Sequence, residues 1–332
     1  MFNYEGAPLE FHAAMYEAFA DDKHRLRLLK GELTKILENL DFTAKARRLP
    51  VISETAEYSE FSDQFKADRI PLGYSKVNGK PIALPLRQLS NLSVYCGNPS
   101  GELPVLKNLL CASMRSATDI YVVKRSSDSL FDLPEISEAI GRYKRIKFVS
   151  CVSSELAKLQ NDIMSMVKDR QALRAKHCQD ELIDESAAEN QAALDKFVYS
   201  KTEPVMVLFE KISDVSENLD ILTGMLFDQT MKVTGKYNIH SMAFYDPTDF
   251  EKADHGLFFG GYNMDGDAIL LGGRFDKQTI CGAMPMSEKQ LPTMLPFNTG
   301  IMKYRRGYYP ILMPCGEITV EAQDEDTLNI FA

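Results

Sequence analysis

Apolar residues recur along this chain with two different periods, and the alternation between them predicts strands and helices in turn. Short apolar runs are separated by helical runs, the first over 104–116 and a later one over about 214–236. Strands that alternate with helices in this way predict an α/β domain with a mainly parallel sheet. The final run, YYPILMP, includes Pro310, which lacks a ladder donor, so that strand is predicted at a sheet edge. The other strand candidates are LSVYC, DIYVVK, RIKFVSC, PVMVLF, IHSMAFY and AILLGG.

The chain before this alternation contains a helical lead-in and a hairpin. Over residues 8–40, leucines recur at spacings of three and four, which indicates an amphipathic helix. The segment IPLGYSKVNGKPIALPL predicts two short strands joined at Asn78-Gly79, a dipeptide that favours tight hairpin turns. We therefore expect a helical lead-in over 1–50 and an α/β domain over 51–332. The leucines of the lead-in stripe are Leu26, Leu29, Leu33, Leu37 and Leu40.

A long helical insertion over about 152–198 interrupts the strand pattern. Its apolar residues alternate at spacings of four and three, as in a coiled-coil seam, but the seam ends after about three heptads. We therefore predict an amphipathic helix that lies on the domain, with a projecting arm as the alternative. The seam consists of Val152, Leu156, Leu159, Ile163, Met166 and Leu173.

The composition is that of an ordinary soluble protein, with 45% hydrophobic and 26% charged residues. Lys and Arg total 38 against 47 Asp and Glu, a formal net charge of -9, whereas nucleic-acid binders usually carry a concentrated basic surface. Nucleic acid is therefore not an expected partner. No stretch is long and apolar enough to span a bilayer, and the opening lacks the pattern of a signal peptide, so a cytoplasmic chain is expected.

Cysteine and histidine give no sign of a metal centre. The six cysteines are scattered singly, without the CxxC spacing of a zinc site or the density of a disulfide framework. We expect reduced and mostly buried thiols. The five histidines are dispersed as well, so no metal site is predicted.

The loop after LSVYC is the position at which a P-loop binds phosphate. In the pattern GxxxxGK[ST], backbone N–H groups wrap the phosphates, the lysine neutralises charge and the hydroxyl holds magnesium. With Gly97 as the first glycine, Glu102 takes the second glycine position. Leu103 and Pro104 then stand where the pattern needs lysine and a hydroxyl. The intervening residues are Asn98, Pro99, Ser100 and Gly101.

The residues that replace the pattern oppose anion binding. Pro99 and Pro104 each remove an N–H donor, and the Glu102 carboxylate takes the anion's place at the positive end of the helix dipole. Pro104 suits the first turn of a helix, so the loop is expected to cap its helix from within the chain. The alternative is that GNPSG is only a turn.

The second half of an ATP site is also altered. PVMVLF ends in Glu210-Lys211, where active ATPases have two acids after an apolar strand. An acid remains at the magnesium position, but Lys211 cannot serve as the carboxylate that polarises water. We therefore expect no catalytic residues, no ATP or magnesium cofactor and no ATP hydrolysis.

Longer motifs follow one another in the order GAPLEFHAAMYEAF, ARRLPVIS, RIPLGYSKVNGKPIALPL, DIYVVK, PVMVLF, NIHSMAFYDP and ILLGGRFDKQ. This order resembles the FtsK/SpoIIIE-type ATPase domains of the type VII secretion motor, the EssC-like family, and in particular their C-terminal domain. The resemblance covers nearly the whole chain and implies a P-loop NTPase-like, RecA-type domain of three layers. At the family's sensor position after the fifth strand, this chain has Tyr245 and Asp246.

The resemblance further implies one domain of a longer, membrane-anchored motor that carries several ATPase domains in tandem. In such motors the terminal domain is often catalytically degenerate and associated with substrate recognition. The leading hypothesis is a cytoplasmic pseudo-ATPase domain that binds secreted substrates, couples them to neighbouring ATPase domains, or both, and meets the membrane only through the rest of the motor. The alternatives are an active ATPase with an unusual loop, a DNA-translocase module and a purely structural oligomerisation domain.

A methionine-rich segment over 282–297 is the candidate substrate surface. Methionine is flexible and polarisable, and the prolines of this segment prevent one continuous helix. Such a surface could accept the apolar face of a helix. The alternative is that these residues close the core beneath the final strands. The candidate residues are Met284, Met286, Leu291, Met294, Leu295 and Phe297.

Overall fold

The chain divides into two compact units, residues 1–49 and 50–332. In the first unit, Phe2–Tyr4 (β1) and Ala7–Leu9 (β2) pair antiparallel, and residues 30–31 and 34–35 are helical. The predicted start of the lead-in helix at Pro8 is wrong, because Pro8 pairs with Asn3 in this ribbon. Proline is tolerated there since both strands of a two-stranded ribbon are edge strands. The computed structural model describes residues 2–4, 7–9, 30–31, 34–35, 69–86, 91–97, 101–116, 118–245, 267–274, 294–304 and 307–313.

The second unit is built on one ten-stranded sheet. Its strands are Arg69–Ser75 (β3), Pro81–Pro85 (β4), Asn91–Gly97 (β5), Asp119–Val123 (β6), Ile146–Val149 (β7), Val205–Phe209 (β8), Ile239–Tyr245 (β9), Asp267–Arg274 (β10), Met294–Tyr304 (β11) and Gly307–Leu312 (β12). Their order across the sheet is β4-β3-β12-β11-β10-β5-β9-β8-β6-β7. From β10 to β7 in this order the strands are parallel, and the others pair antiparallel. The α/β class, the mainly parallel sheet and the β3–β4 hairpin are therefore confirmed.

Helices connect the parallel strands and fix which strand ends meet. They are Glu102–Arg115 (α1), Pro134–Arg142 (α2), Ser153–Glu181 (α3), Gln191–Lys201 (α4), Ile212–Asn218 (α5) and Ile221–Thr234 (α6). α1 leads from β5 to β6, which lies three places away in the sheet, and β8 and β9 later fill the gap. The carboxyl ends of β5, β6 and β8 therefore lie along one edge of the sheet.

Both faces of this sheet are covered, which gives three layers. Along β8, Met206 and Leu208 point to the core that the sheet shares with α1 and α2. Val207 and Phe209 point to the core that it shares with α3, α5 and α6. All four side chains are fully buried. A strand buried on both faces requires the continuous apolar run found in VMVLF, and the predicted three-layer architecture is confirmed.

The helical insertion begins as an amphipathic helix on the second of these faces. Leu156, Leu159 and Ile163 of α3 are buried there. Farther along α3, the buried Arg174 forms an ion pair with Asp195, which holds α4 against α3. The prediction that this helix lies on the domain is confirmed.

The single helix predicted over 214–236 is wrong, because the chain forms two helices there. Leu219 and Asp220 have extended backbone geometry between α5 and α6. The Asp220 carboxylate accepts a hydrogen bond from the Thr223 N–H at 3.0 Å and so caps α6. The helical spacing of apolar residues continues from α5 into α6, so the sequence pattern does not reveal the break.

The edge position predicted for β12 is also wrong, because β12 lies between β11 and β3. The ladder between β12 and β3 pairs only Ile311 and Leu312. Pro310 lies just outside it, where its carbonyl accepts from the Lys76 N–H at 2.9 Å. The missing proline donor therefore falls at the end of a short ladder, where its loss disturbs little of the pairing.

Candidate functional site

Glu102, Arg125 and Glu210 meet at the sheet edge where β5, β6 and β8 end. Gly101 is the N-cap of α1 and Glu102 its first residue, so this carboxylate lies at the positive end of the helix dipole. Arg125 follows β6 by two residues, and Glu210 comes directly after β8. The parallel strands thus bring together three charged side chains that are far apart in the sequence.

The Arg125 guanidinium bridges the two carboxylates. Its Nη2 lies 2.8 Å from Glu102 Oε2, and its Nε lies 3.1 Å from Glu210 Oε1. Glu102 is 5% exposed and Glu210 2%, so water has little access to either charge. The bridge matters energetically because an unpaired buried charge costs on the order of several kcal/mol.

Glu210 also holds the loop that follows β6. Its Oε2 accepts hydrogen bonds from the Arg125 N–H at 3.0 Å and from the Ser129 hydroxyl at 2.8 Å. Its Oε1 accepts from the Leu130 N–H. Both carboxylate oxygens of Glu210 are therefore occupied by groups of this chain.

This cluster shifts the pKa values of two groups. Burial by itself lowers the pKa of Arg125, but the charges of Glu102 and Glu210 outweigh it and raise that pKa above the ordinary arginine value. The pKa of the Cys96 thiol, near the end of β5, is raised well above its usual value, first by desolvation and then by the Glu102 charge. Arg125 is therefore a permanent cation, and the Cys96 thiol stays protonated.

Lys211 is the N-cap of α5 and lies close to another acid of the site. Its Nζ lies 3.9 Å from Asp214 Oδ1. The second oxygen of Asp214 accepts from the Ser126 N–H at 2.6 Å, which ties the loop after β6 to α5 as well. Lys211 thus brings a cation, and not a carboxylate, to the end of β8.

Tyr245, at the predicted sensor position, belongs to the opposite face of the sheet. It is 1% exposed and stacks on Tyr95, with ring centroids 4.7 Å apart and 27° between the planes. Both rings lie in the core shared with α3 and α6. The structure therefore does not bring Tyr245 together with Glu102 and Glu210. Asp246, the other residue at that position, lies outside the described residues.

Gly97 ends β5 against Gly273 of β10. Gly273 has a φ of +102°, and a Cβ at that position would overlap the Gly97 carbonyl group. The close approach of these two strands at the start of the candidate loop therefore requires glycine at position 273.

The remaining residues of the candidate loop divide into two groups. Leu103 and Pro104 lie half-buried in the first turn of α1, and Leu103 packs against the core beneath α1. The side chain at the lysine position of the pattern is thus used for packing. Asn98, Pro99 and Ser100 lie outside the described residues.

The candidate substrate surface lies mostly outside the described residues, where Met284, Met286 and Leu291 belong. Met294 and Phe297 have a described backbone in β11, but their side chains are outside the description. Leu295 is 9% exposed and packs in the core shared with α3 and α6. The position of Leu295 therefore agrees with the alternative that these residues close the core beneath the final strands.

The sequence patterns do not predict Arg125, although the chain contains one signal for it. DIYVVK is followed by Arg125 at the carboxyl end of β6, and β6 pairs with β8 in a register that sets Val123 beside Phe209. An acid buried at the end of β8 needs a cation, and the adjacent strand end is the nearest source. The signal can be used only once β6 is known to lie next to β8.

Comparison with known proteins bears on the fold. No protein-family model matches the chain, and no curated protein matches it. Among solved structures, the cytoplasmic domain of EssC matches 94% of this chain, with a TM-score of 0.59 and 15% identity. The chain has the fold of the EssC and EccC ATPase domains. EssC ATPases 2 and 3 from Geobacillus thermodenitrificans match 90% of it, with a TM-score of 0.59 and 15% identity.

Two further structures agree with this fold. Thermomonospora curvata EccC, ATPases 2 and 3 in complex with a signal sequence peptide, matches 91% of the chain with a TM-score of 0.57 and 14% identity. The pCW3 conjugation coupling protein TcpA matches 85% with a TM-score of 0.55 and 13% identity. This chain spans 58% of the EssC cytoplasmic domain, 52% of the Geobacillus EssC chain and 50% of the EccC chain. The predicted P-loop NTPase-like fold, and the resemblance to these domains at the level of fold, are confirmed.

Two features do not occur in the described part of the chain. No helix there is long and apolar enough to cross a membrane. No group of three or more His, Cys, Asp or Glu side chains there is arranged to hold a metal ion. The cysteines described there, Cys96, Cys111, Cys151 and Cys178, are free thiols.

Proposed function

We propose that this chain is a catalytically degenerate ATPase-like domain of a type VII secretion motor, which binds secreted substrates, couples them to active ATPase domains, or does both. The observation that carries this proposal is the buried Arg125 bridge between Glu102 and Glu210. It lies at the two places where a P-loop ATPase holds phosphates and magnesium, the start of the first helix and the end of the Walker B strand.

The residues at this edge do not fit ATP. Phosphate at the start of α1 would meet the Glu102 carboxylate, and the lysine position carries Leu103, which packs into the core. Magnesium at the end of β8 would have to displace Arg125 and two further donors from Glu210. Each displacement leaves a buried polar or charged group without its partner, so nucleotide binding is opposed at both halves of the site.

The partners in this proposal come from the relatives of the same fold. The EccC structure is a complex with a signal sequence peptide, and the EssC and EccC chains contain ATPases 2 and 3. This chain covers about half of each, which suits one domain of a tandem array. We infer that its partners are secreted proteins and neighbouring ATPase domains, on the cytoplasmic side of the membrane, and not nucleic acid.

An ATP hydrolysis assay combined with a substrate pull-down tests the two parts of the proposal separately. The wild-type chain should release no phosphate above a heat-denatured control. The Leu103→Lys, Pro104→Thr variant should stay inactive as well, because the Arg125 bridge and Lys211 remain. As bait in a cytosolic extract, the chain should enrich secreted type VII substrates. Hydrolysis by the wild type would refute the degenerate site, whereas failure to enrich secreted proteins would refute the receptor role alone.

A further inference from the structure

The space between the Glu102 and Glu210 carboxylates is filled by a cation that belongs to the chain itself. The Arg125 guanidinium reaches both acids through two of its nitrogens, Nη2 toward Glu102 and Nε toward Glu210. In P-loop ATPases, the acid after the Walker B strand and the phosphates at the start of the first helix share a magnesium ion. Here the acid after β8 shares a guanidinium with an acid at the start of α1.

This pair of acids requires a positive charge for its full stability. Glu102 and Glu210 are both buried, so bulk water cannot replace a counter-ion. The Ser129 hydroxyl and the Leu130 N–H also donate to Glu210, but these groups are neutral. They satisfy lone pairs of the carboxylate without cancelling its charge. The cation between the two acids therefore contributes something that the surrounding hydrogen bonds do not.

We propose that Arg125 is an internal substitute for the divalent cation of this fold, and that it keeps such cations away from an acid pair that binds them once Arg125 is removed. It acts as an autoinhibitory contact, because the side chain that completes this edge of the sheet also closes it to a metal ion. We draw this from the degenerate site of the proposed function, on which it rests, and not from the secretion role.

The two acids have the chemistry of a magnesium or manganese site. Both ions prefer oxygen ligands in octahedral geometry, and Mg²⁺ is commonly bound through one or two carboxylates with waters in the other positions. A carboxylate oxygen has two lone pairs, so Glu210 Oε1 can keep its bond from the Leu130 N–H and bind an ion where Arg125 Nε now lies. Glu102 Oε2, which now contacts Arg125 Nη2, supplies the second protein ligand.

The site also has an entry path from solvent. The Arg125 side chain is 19% exposed, so truncating it opens the space between the acids to water. An ion that arrives there can retain several of its waters on the open side, which suits Mg²⁺ and Mn²⁺ because they lose water reluctantly. Removal of one side chain is therefore sufficient to turn the bridge into a cation site.

Manganese binding by the full chain and by its Arg125→Ala variant tests the proposal. Mn²⁺ is the probe, since electron paramagnetic resonance reports its free concentration in a titration. Arg125→Ala should bind one more Mn²⁺ per chain than the wild type. At 1 mM MnCl₂ its melting temperature should rise by about 3 °C or more, against less than about 1 °C for the wild type. Adding Glu210→Gln should abolish the gain, because a neutral amide replaces the charged ligand.

Arg145→Ala is the matched control. Arg145 also pairs with two acids, but the Asp119 and Glu203 side chains are 35% and 65% exposed and are hydrated without it. Mn²⁺ should therefore leave the melting temperature of this variant within about 1 °C of its value in EDTA.

An Arg125→Ala variant with no manganese response, or with one equal to that of Arg145→Ala, would overturn the proposal. If Arg125→Ala is unfolded in EDTA, circular dichroism decides: folding on addition of Mn²⁺ supports the proposal, and a chain that stays unfolded overturns it. A missing response beside a wild type that binds no MgATP would remove this inference alone. MgATP binding by the wild type would remove the degenerate site as well.

Discussion

Replacing Arg125 by methionine should destabilise the fold strongly, because it leaves two buried carboxylates without their shared cation. Methionine keeps most of the length of the side chain, so packing changes little and the charge is the main loss. Glu102 and Glu210 are 5% and 2% exposed, and neither can recover full hydration in place.

The size of the destabilisation depends on which stabilising contacts each carboxylate keeps in the variant. Removing one partner of a buried ion pair costs about 3–5 kcal/mol. Glu210 keeps its hydrogen bonds from Ser129 and Leu130, and Glu102 keeps the dipole of α1, so the lower end of that range applies. A loss of about 3 kcal/mol lowers the melting temperature of a domain of this size by about 6–12 °C. Urea denaturation of wild type and Arg125→Met at neutral pH measures this difference in unfolding free energy.

Lys107→Met is the matched control, because the partner of Lys107, Glu135, is 55% exposed at its side chain and can be hydrated when left alone. It should cost no more than about 1 kcal/mol. An Arg125→Met variant that costs as little as this control would contradict the role given to the Arg125 bridge.

Three other predictions concern the core of the same domain. Asn108 is fully buried in α1, and neither polar atom of its side-chain amide has a hydrogen-bond partner. Asn108→Leu should therefore raise the unfolding free energy by about 1 kcal/mol or more in urea titrations, and an unfolding free energy below that of the wild type would contradict this. Gly273→Ala should cost at least about 2 kcal/mol by clashing with Gly97, whereas Gly224→Ala in α6, which meets no atom, should stabilise by up to about 1 kcal/mol. Burial first, and then the Asp214 charge, raise the pKa of Cys151 to about 12, so its alkylation at pH 8 should be about a thousandfold slower than that of a free thiol. Peptide mass spectrometry would measure that alkylation rate. The stability of the fold should fall as the pH rises from 9 towards 12, because this thiol ionises at a lower pH in the unfolded chain than in the folded one.

Local patterns were sufficient for the elements whose identity is decided within a few residues. Asn78-Gly79 specifies the turn between β3 and β4 through backbone geometry alone, and Gly79 has the positive φ, +66°, that such a turn requires. The run VMVLF identifies a strand buried on both faces wherever that strand lies in the sheet. The parallel sheet follows from the alternation of such runs with helices.

Features that depend on distant pairing could not be predicted in this way. Pro310 suggests an edge strand, yet β12 pairs with β3 directly after the proline. The β3 residues in this pairing lie more than two hundred positions earlier in the chain. Arg125 acquires its role only because β6 lies beside β8 and close to the start of α1. The sequence pattern predicts that the lysine and the hydroxyl are absent from the loop, but the Arg125 bridge is visible only after the sheet is assembled.

Calorimetric titration of the chain with MgATP shows whether the Arg125 bridge excludes the nucleotide. A site with a dissociation constant of about 10 μM would stabilise the fold by about 2.7 kcal/mol at 1 mM ligand, an effect that thermal unfolding resolves easily. With Glu102 and Glu210 both held by Arg125, we expect no saturable heat of binding and no rise in melting temperature at 1 mM MgATP. Saturable binding at 100 μM or tighter, together with a matching thermal shift, would contradict it.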